Sequence, residues 1–259
     1  MRKLFTFPIN FIYEFFEGLG RYTTLMASMF RSIESWGSHM SRVLDQMVFI
    51  GAKSIPIVML TAFFSGMVTS VQSAYQMTSS FIPPETVGSI VGESILLELA
   101  PVISALVLTG RVGATITAEI GTMRVTEQID ALESLSFDPV TFLIFPRVVA
   151  GTIMFPFLIV IADYCGVFGG WFSVIVDPEI KVNSYQFFEG FKQWFRPWDA
   201  WFGLIKALFF GFAITSIACY HGFYTTGGAK GVGEATTISV VSSCVSIVCL
   251  DYILSSVLL

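Results

Sequence analysis

Apolar residues follow two different patterns along this chain. Over residues 1–49 they recur in steps of three and four: Phe5, Ile9, Ile12, Phe16 and Leu19, then Tyr22, Met26, Met29, Ile33, Trp36, Met40, Val43 and Met47. Arg31, Glu34, Ser38, Arg42 and Asp45 fall off that face. One apolar stripe at helical spacing, with basic residues beside it, predicts amphipathic helices lying in a membrane interface. Packing of the stripe against protein is the alternative. Beyond residue 50 the stripe gives way to runs that are apolar all round, each close to the ~20 residues that cross a bilayer core. They fall at roughly 50–75, 93–118, 143–172, 201–221 and 235–258. The predicted fold is an all-α integral membrane protein of about five transmembrane helices, with residues 1–49 as an interfacial segment and 50–259 as one five-span domain.

Helix breakers refine the picture. Lys53 opens the first span, and Pro56 and Gly66 mark a kink within it. The connection 76–92 carries Pro83-Pro84 and no Lys or Arg. The third span is long enough for Pro146 or Pro156 to bend it. Residues 173–200 are mixed, and Trp194, Phe195, Trp198 and Trp201 read as an interfacial aromatic belt. Residues 222–234 read as a glycine-rich loop. Basic residues cluster in 1–49 (Arg2, Lys3, Arg21, Arg31, Arg42) and around 119–141 (Arg111, Arg124, Arg147), which predicts a cytoplasmic N-terminus and an external C-terminus. Lys181, Lys192 and Arg196 in 173–200 run against that orientation.

Composition agrees with a membrane protein. The 259 residues are 54% hydrophobic and 13% charged, where a soluble domain carries about 25% charged residues. A net charge of -5 argues against a nucleic-acid partner. Cys165, Cys219, Cys244 and Cys249 all lie in apolar runs without metal-ligand spacing and read as small buried hydrophobes. Pro8, Glu14 and Glu17 interrupt any signal-peptide pattern. The glycines around Lys230 lack the spacing of a phosphate-binding loop, so no ATP site is visible.

Four ionisable residues fall inside predicted spans: Glu98, Asp163, Lys206 and Asp251. Each would cost on the order of 3 kcal/mol at mid-bilayer. Counting along each span at 1.5 Å per residue places Glu98 roughly 8 Å from its outer end and Asp251 roughly 24 Å from its inner end. Lys206 and Asp163 come out at a similar depth. Four charges from four spans at one level suggest a shared polar site opening outward, with Lys206 as the one cation among three acids. A substrate path and a structural lock between helices are both open readings.

The chain is organised around Glu98 to Pro139. An apolar span passes through a turn signal (Gly110, Arg111, Gly113) into a polar helix at about 122–135. There Val125, Ile129 and Leu132 form one face, and Arg124, Glu127, Gln128, Asp130 and Glu133 the rest. Arg124 with Gln128, and Glu127 with Asp130, would be surface neighbours. Such a helix can pass force from a soluble partner; an ordinary solvated loop helix is the alternative.

These residues carry a resemblance. Glu98-Leu99-Ala100-Pro101, Gly110-Arg111-Val112-Gly113-Ala114, the run from Ala118 to Leu132, and Asp138-Pro139 resemble the MlaE family, the permease subunits of bacterial ABC transporters that move phospholipid between two membranes. Pro146-Arg147 and Gly231-Val232-Gly233-x-Ala235-Thr236-Thr237 are similar to family motifs as well. The resemblance covers about residues 45–259. It implies a multi-pass homodimeric permease of the bacterial inner membrane that serves outer-membrane lipid homeostasis and performs no bond chemistry itself. It implies a separate ABC ATPase (MlaF-like) that binds ATP and magnesium and is engaged by the helix near 122–133. An MCE-domain periplasmic protein (MlaD-like) and a STAS-domain protein (MlaB-like) are further implied partners. Lipid would occupy an outward-open pocket lined by the first span, which places Gly66, Gln72 and Tyr75 beside it. Some members carry arginine directly before the glutamate of the second span. Leu97 stands there in this chain, so any phosphate-binding role of that arginine is absent or moved, with Lys206 the candidate.

Two other classes of function stand beside this one. An ion-coupled carrier would use Glu98, Asp163 and Asp251 as proton sites. A lipid-acting enzyme finds no support, since His39 and His221 have no metal spacing and no nucleophile motif is present. No cofactor or metal is expected in the chain itself.

Overall fold

The computed structural model describes residues 2–31, 36–77, 83–178, 180 and 182–259, with the side chains of 2–15, 31 and 36–39 outside that description. The contributions of Phe5, Ile9, Ile12, Ile33 and Trp36 to the apolar stripe, and of Arg2, Lys3, Arg31, Glu34, Ser38, His39 and Lys181, therefore lie outside the described residues or side chains. Among the described residues every regular element is helical: α1 (Arg2–Arg31), α2 (Trp36–Ile50), α3 (Ile55–Gln76), α4 (Thr86–Ser94), α5 (Ala100–Leu108), α6 (Ala114–Val125), α7 (Gln128–Ser134), α8 (Phe145–Val176), α9 (Ser184–Trp194), α10 (Pro197–Phe223) and α11 (Gly228–Leu258). Five stretches of the described residues are long and apolar enough to cross a membrane: Met40–Gln76, Thr86–Val125, Val140–Val176, Pro197–Phe223 and Gly228–Leu258. The all-α, five-span reading is what the chain adopts.

The first span breaks earlier than its proline and glycine suggest. The chain departs from α-helix at Gly51 and the short turn Ala52–Ser54. Pro56 sits in the first turn of α3, where a missing N–H costs nothing. Gly66 lies inside an unbroken helix and serves close approach instead. A Cβ there would come within 1.9 Å of the Gly166 carbonyl oxygen. Ala62, Gly66 and Ser70 are buried at steps of four on α3, and the backbone of Ala62 and Gly66 lies against Gly166 and Gly170 on α8. Small residues at this spacing let two membrane helices meet backbone to backbone. The α8 helix is the centre of the bundle, flanked by α3, α10 and α2.

The second span is one long helix interrupted twice by π-turns, Ile95–Leu99 and Thr109–Gly113. The expected turn at Gly110 is the second of these, with the Ala114 N–H reaching back to Thr109 O. Below it the polar helix is broken in two. Glu127 adopts a left-handed conformation (φ 59°), so α6 ends at Val125 and α7 begins at Gln128. A third π-turn, Val140–Ile144, opens the third span. Pro146 sits in the first turn of α8, which leaves Pro156 as its interior proline.

Two expected loops are partly helical. An Asn183–Gln186 capping box starts α9 within the mixed stretch 173–200, and α9 packs on α4. Of the glycines in 222–234, Gly222 lies in the last turn of α10, Gly227 and Gly228 take positive φ and make the turn, and Gly231 and Gly233 lie in the first turns of α11. Trp194, Phe195, Trp198 and Trp201 are all exposed, as an interfacial belt requires.

The N-terminal stripe is divided between protein and surroundings. Met26, Met29 and Val43 are buried, whereas Phe16, Leu19 and Met40 are exposed. Tyr22 ties α1 to α10 through a 2.8 Å hydrogen bond with Ser216. Burial pushes the Tyr22 phenol above its ordinary pKa, which keeps it a neutral partner.

Candidate functional site

The first π-turn explains where the buried charges meet. The Ala100 N–H reaches five residues back to Ile95 O. Pro101 has no N–H to give the carbonyl four residues before it, Leu97. The Leu97 oxygen is therefore free to accept from outside its helix, and Lys206 Nζ donates to it at 2.9 Å. The same ammonium lies 2.8 Å from Glu98 Oε1 and 2.7 Å from Asp251 Oδ1. Ser255 Oγ adds a 3.4 Å contact to Glu98, and the Phe202 ring lies beneath the ammonium. Spans two, four and five are thus joined at one point.

Burial is uneven across this cluster. The Lys206 side chain is 0% exposed, Asp251 is 22% and Glu98 is 46% exposed. The cation is sealed and the acids face outward. An ammonium has three N–H donors; Leu97 O and Glu98 Oε1 take two of them, while Asp251 Oδ1, 2.7 Å away, pairs by charge without hydrogen-bond geometry. The Lys206 ammonium, fully buried, is not itself presented on the open side. What the open side offers is carboxylate oxygen.

Asp163 does not join the cluster. It sits on α8, and the ion pairs of Lys206 go to Glu98 and Asp251 and not to it. One Asp163 carboxylate oxygen is buried without a hydrogen-bond partner. Depth along a span fixed one coordinate of these four residues; the direction around the helix axis separated Asp163 from the other three. On α3, Gln72 and Tyr75 are exposed, Tyr75 to 81%, while Gly66 points into the α8 seam. Gly66 therefore lies on a different face of α3 from Gln72 and Tyr75, which are three residues apart and share one.

At the other end of the second span, the left-handed Glu127 turns α7 away from the α6 axis. This replaces the expected neighbours Arg124–Gln128 and Glu127–Asp130 with an Arg124–Asp130 ion pair of 2.7 Å. Gln128 donates to Thr126 instead. Glu127, Gln128, Asp130 and Glu133 are exposed and Ile129 is fully buried. Beneath α7 lies an apolar cavity of about 310 Å³, walled by Met123, Ile129 and Leu132 on one side and Phe142 and Leu143 on the other. Sequence reasoning missed two pairs near this end. Arg147 is buried and bonds Glu119 at 3.3 Å, and Arg111 donates to the Ser54 hydroxyl. Two arginines in or next to apolar spans were the available signal for both. Among the described residues no cluster of His, Cys, Asp and Glu could hold a metal.

Comparison with known proteins agrees with this geometry. Residues 43–257 match the family described as Permease MlaE. A probable ABC transporter permease protein of Rickettsia bellii is 41% identical over 92% of this chain and 91% of its own length. The intermembrane phospholipid transport system permease protein MlaE of Haemophilus influenzae is 33% identical over 95% and 94%. The chloroplastic protein TRIGALACTOSYLDIACYLGLYCEROL 1 of Arabidopsis thaliana is 37% identical over 84% of this chain and 61% of its own. Matched along most of its length, and to relatives that it covers almost end to end, the chain belongs to the MlaE permease family.

Proposed function

We propose that this chain is the membrane subunit of an ABC transporter that moves phospholipid between the inner and outer membranes of a bacterium, driven by a separate ATPase. The observation that carries this reading is the second span. One end holds Glu98 in a half-open charged cluster, and the other ends in the exposed, charged α7. One helical stretch, turned at Glu127, thus links a polar point inside the membrane to a surface that a soluble protein can grip. The Haemophilus relative is named for phospholipid transport, which supports lipid as the cargo. On this reading two copies of the chain enclose the lipid, with α7 on the cytoplasmic side. ATP and magnesium bind in the partner, and an MCE-domain protein receives or delivers lipid outside, with a STAS-domain protein on the ATPase.

Extraction of the tagged protein from its native membrane in mild detergent, with mass spectrometry of what accompanies it, tests this. A stoichiometric ATPase and bound phospholipid are expected. A homodimer carrying neither would overturn the reading and favour an ion-coupled carrier, for which the unpartnered Asp163 oxygen in α8 is the motivating observation. Tyr75→Glu places a charge on an exposed position of α3 and is expected to lower the co-purified lipid. Unchanged lipid content would remove α3 from the lipid path.

A further inference from the structure

We infer that Arg147 is a positioning residue of the coupling machinery, one that makes the wall beneath α7 a rigid part of α8. The inference rests on the ATPase-driven reading above. Pro146 cannot donate to Phe142 O four residues back, and the Phe145 N–H reaches five residues to Val140 O. The start of α8 is therefore a π-turn with loosened carbonyls, and it forms the wall of the cavity under α7. A soft wall would absorb a push from α7.

Arg147 stiffens it. Its Nη1 donates to Leu143 O at 2.9 Å, and Leu143 lines the cavity. Its Nη2 donates to Glu119 Oε2 at 3.3 Å on α6. The guanidinium of Arg42 stacks 3.3 Å from the Phe142 ring centre and supports the neighbouring wall residue. α7 itself is flanked by two non-glycine residues of positive φ, Glu127 and Ser136, so it is a seven-residue segment with a sharp turn at each end. When α7 is pressed toward the cavity, Ile129 and Leu132 meet Phe142 and Leu143. Through Arg147 that displacement passes into α8, the helix on which α3 and α10 pack. Glu119 makes α6 move with the same wall. The stroke then enters the bundle by two routes, up α6 to Glu98 and along α8 to α3.

The complex of this chain with its ATPase, reconstituted in lipid vesicles, tests the inference. Thermal stability, ATP hydrolysis and lipid moved per ATP are measured together. Glu119→Gln and Arg147→Lys each weaken one side of the link while keeping shape or charge. Both are expected to leave assembly and ATP hydrolysis near wild type and to lower lipid moved per ATP by about fivefold or more. Ala131→Leu, at an exposed edge of the cavity remote from the bundle core, fills the space into which α7 moves and is expected to act in the same direction. A purely structural Arg147 would lower stability, hydrolysis and transport in parallel, and that result overturns the inference. An unchanged lipid-to-ATP ratio in Glu119→Gln and Ala131→Leu overturns it as well. If the wild-type complex moves no lipid with ATP, the proposed function fails first and the inference falls with it.

Discussion

Lys206→Met is expected to destabilise the folded protein by about 1–3 kcal/mol, below the cost of stranding a fully buried charge because the acids left behind are partly exposed. Methionine matches the length of the lysine stem, so the loss is electrostatic. Glu98 and Asp251 would face each other without the cation between them, and Leu97 O would lose its donor. Thermal unfolding followed by size-exclusion chromatography in detergent reads this directly. The neutral triple variant Lys206→Met, Glu98→Gln, Asp251→Asn should recover most of the stability, because replacing a whole buried ion group is far milder than breaking it. Its transport then separates the two roles of the cluster. A triple variant that assembles and moves lipid makes the cluster a lock between spans two, four and five. One that assembles and moves none places the charges on the lipid path.

Gly66→Ala is the second large effect. The new methyl group would lie 1.9 Å from the Gly166 carbonyl oxygen, and ordinary contact begins near 3.4 Å, so α3 and α8 must part by about 3.4 minus 1.9, or 1.5 Å. Backbone cannot swing aside as a side chain can. Overpacking of this kind costs about 1–3 kcal/mol or more, and here it opens the seam along which α3 meets the central helix. A marked fall in thermal stability, with loss of any transport, is expected. Gln72→Ala, on an exposed face of the same helix, should stay within about 0.5 kcal/mol of wild type. If Gly66→Ala kept full stability and lost only lipid binding, the lipid path would run along the α8 side of α3 after all.

Much of this architecture is legible in the residues themselves. Five apolar runs long enough for a bilayer have no stable home other than a membrane, and a switch from striped to uniformly apolar helix marks where the bundle begins. The joining of Glu98, Lys206 and Asp251 also followed from counting residues, since a charge in an apolar span needs a partner at its own depth. The carbonyl acceptor of Lys206 was available in the same way: a proline four residues after Leu97 leaves that oxygen without its helical donor.

Other features had no local signal. Nothing in the run Thr126-Glu127-Gln128 announces a left-handed residue, and the break between α6 and α7 is held by contacts: Arg124 with Asp130, and Ile129 against the cavity wall. Gly231 and Gly233 read as loop, yet they sit in α11, because the turn needs positive φ only at Gly227 and Gly228.

By itself, then, the sequence determined fold class, span number, the depth of the charged residues and the location of the polar end of the second span. These are one-dimensional properties, set by length, hydropathy and 1.5 Å steps along a helix. Only the tertiary structure decided which face of each helix meets which neighbour. That arrangement put Asp163 apart from the cluster, turned Gly66 into a packing position and brought Arg147 against Glu119. The direction of a side chain around its axis acquires meaning only when another helix is placed beside it.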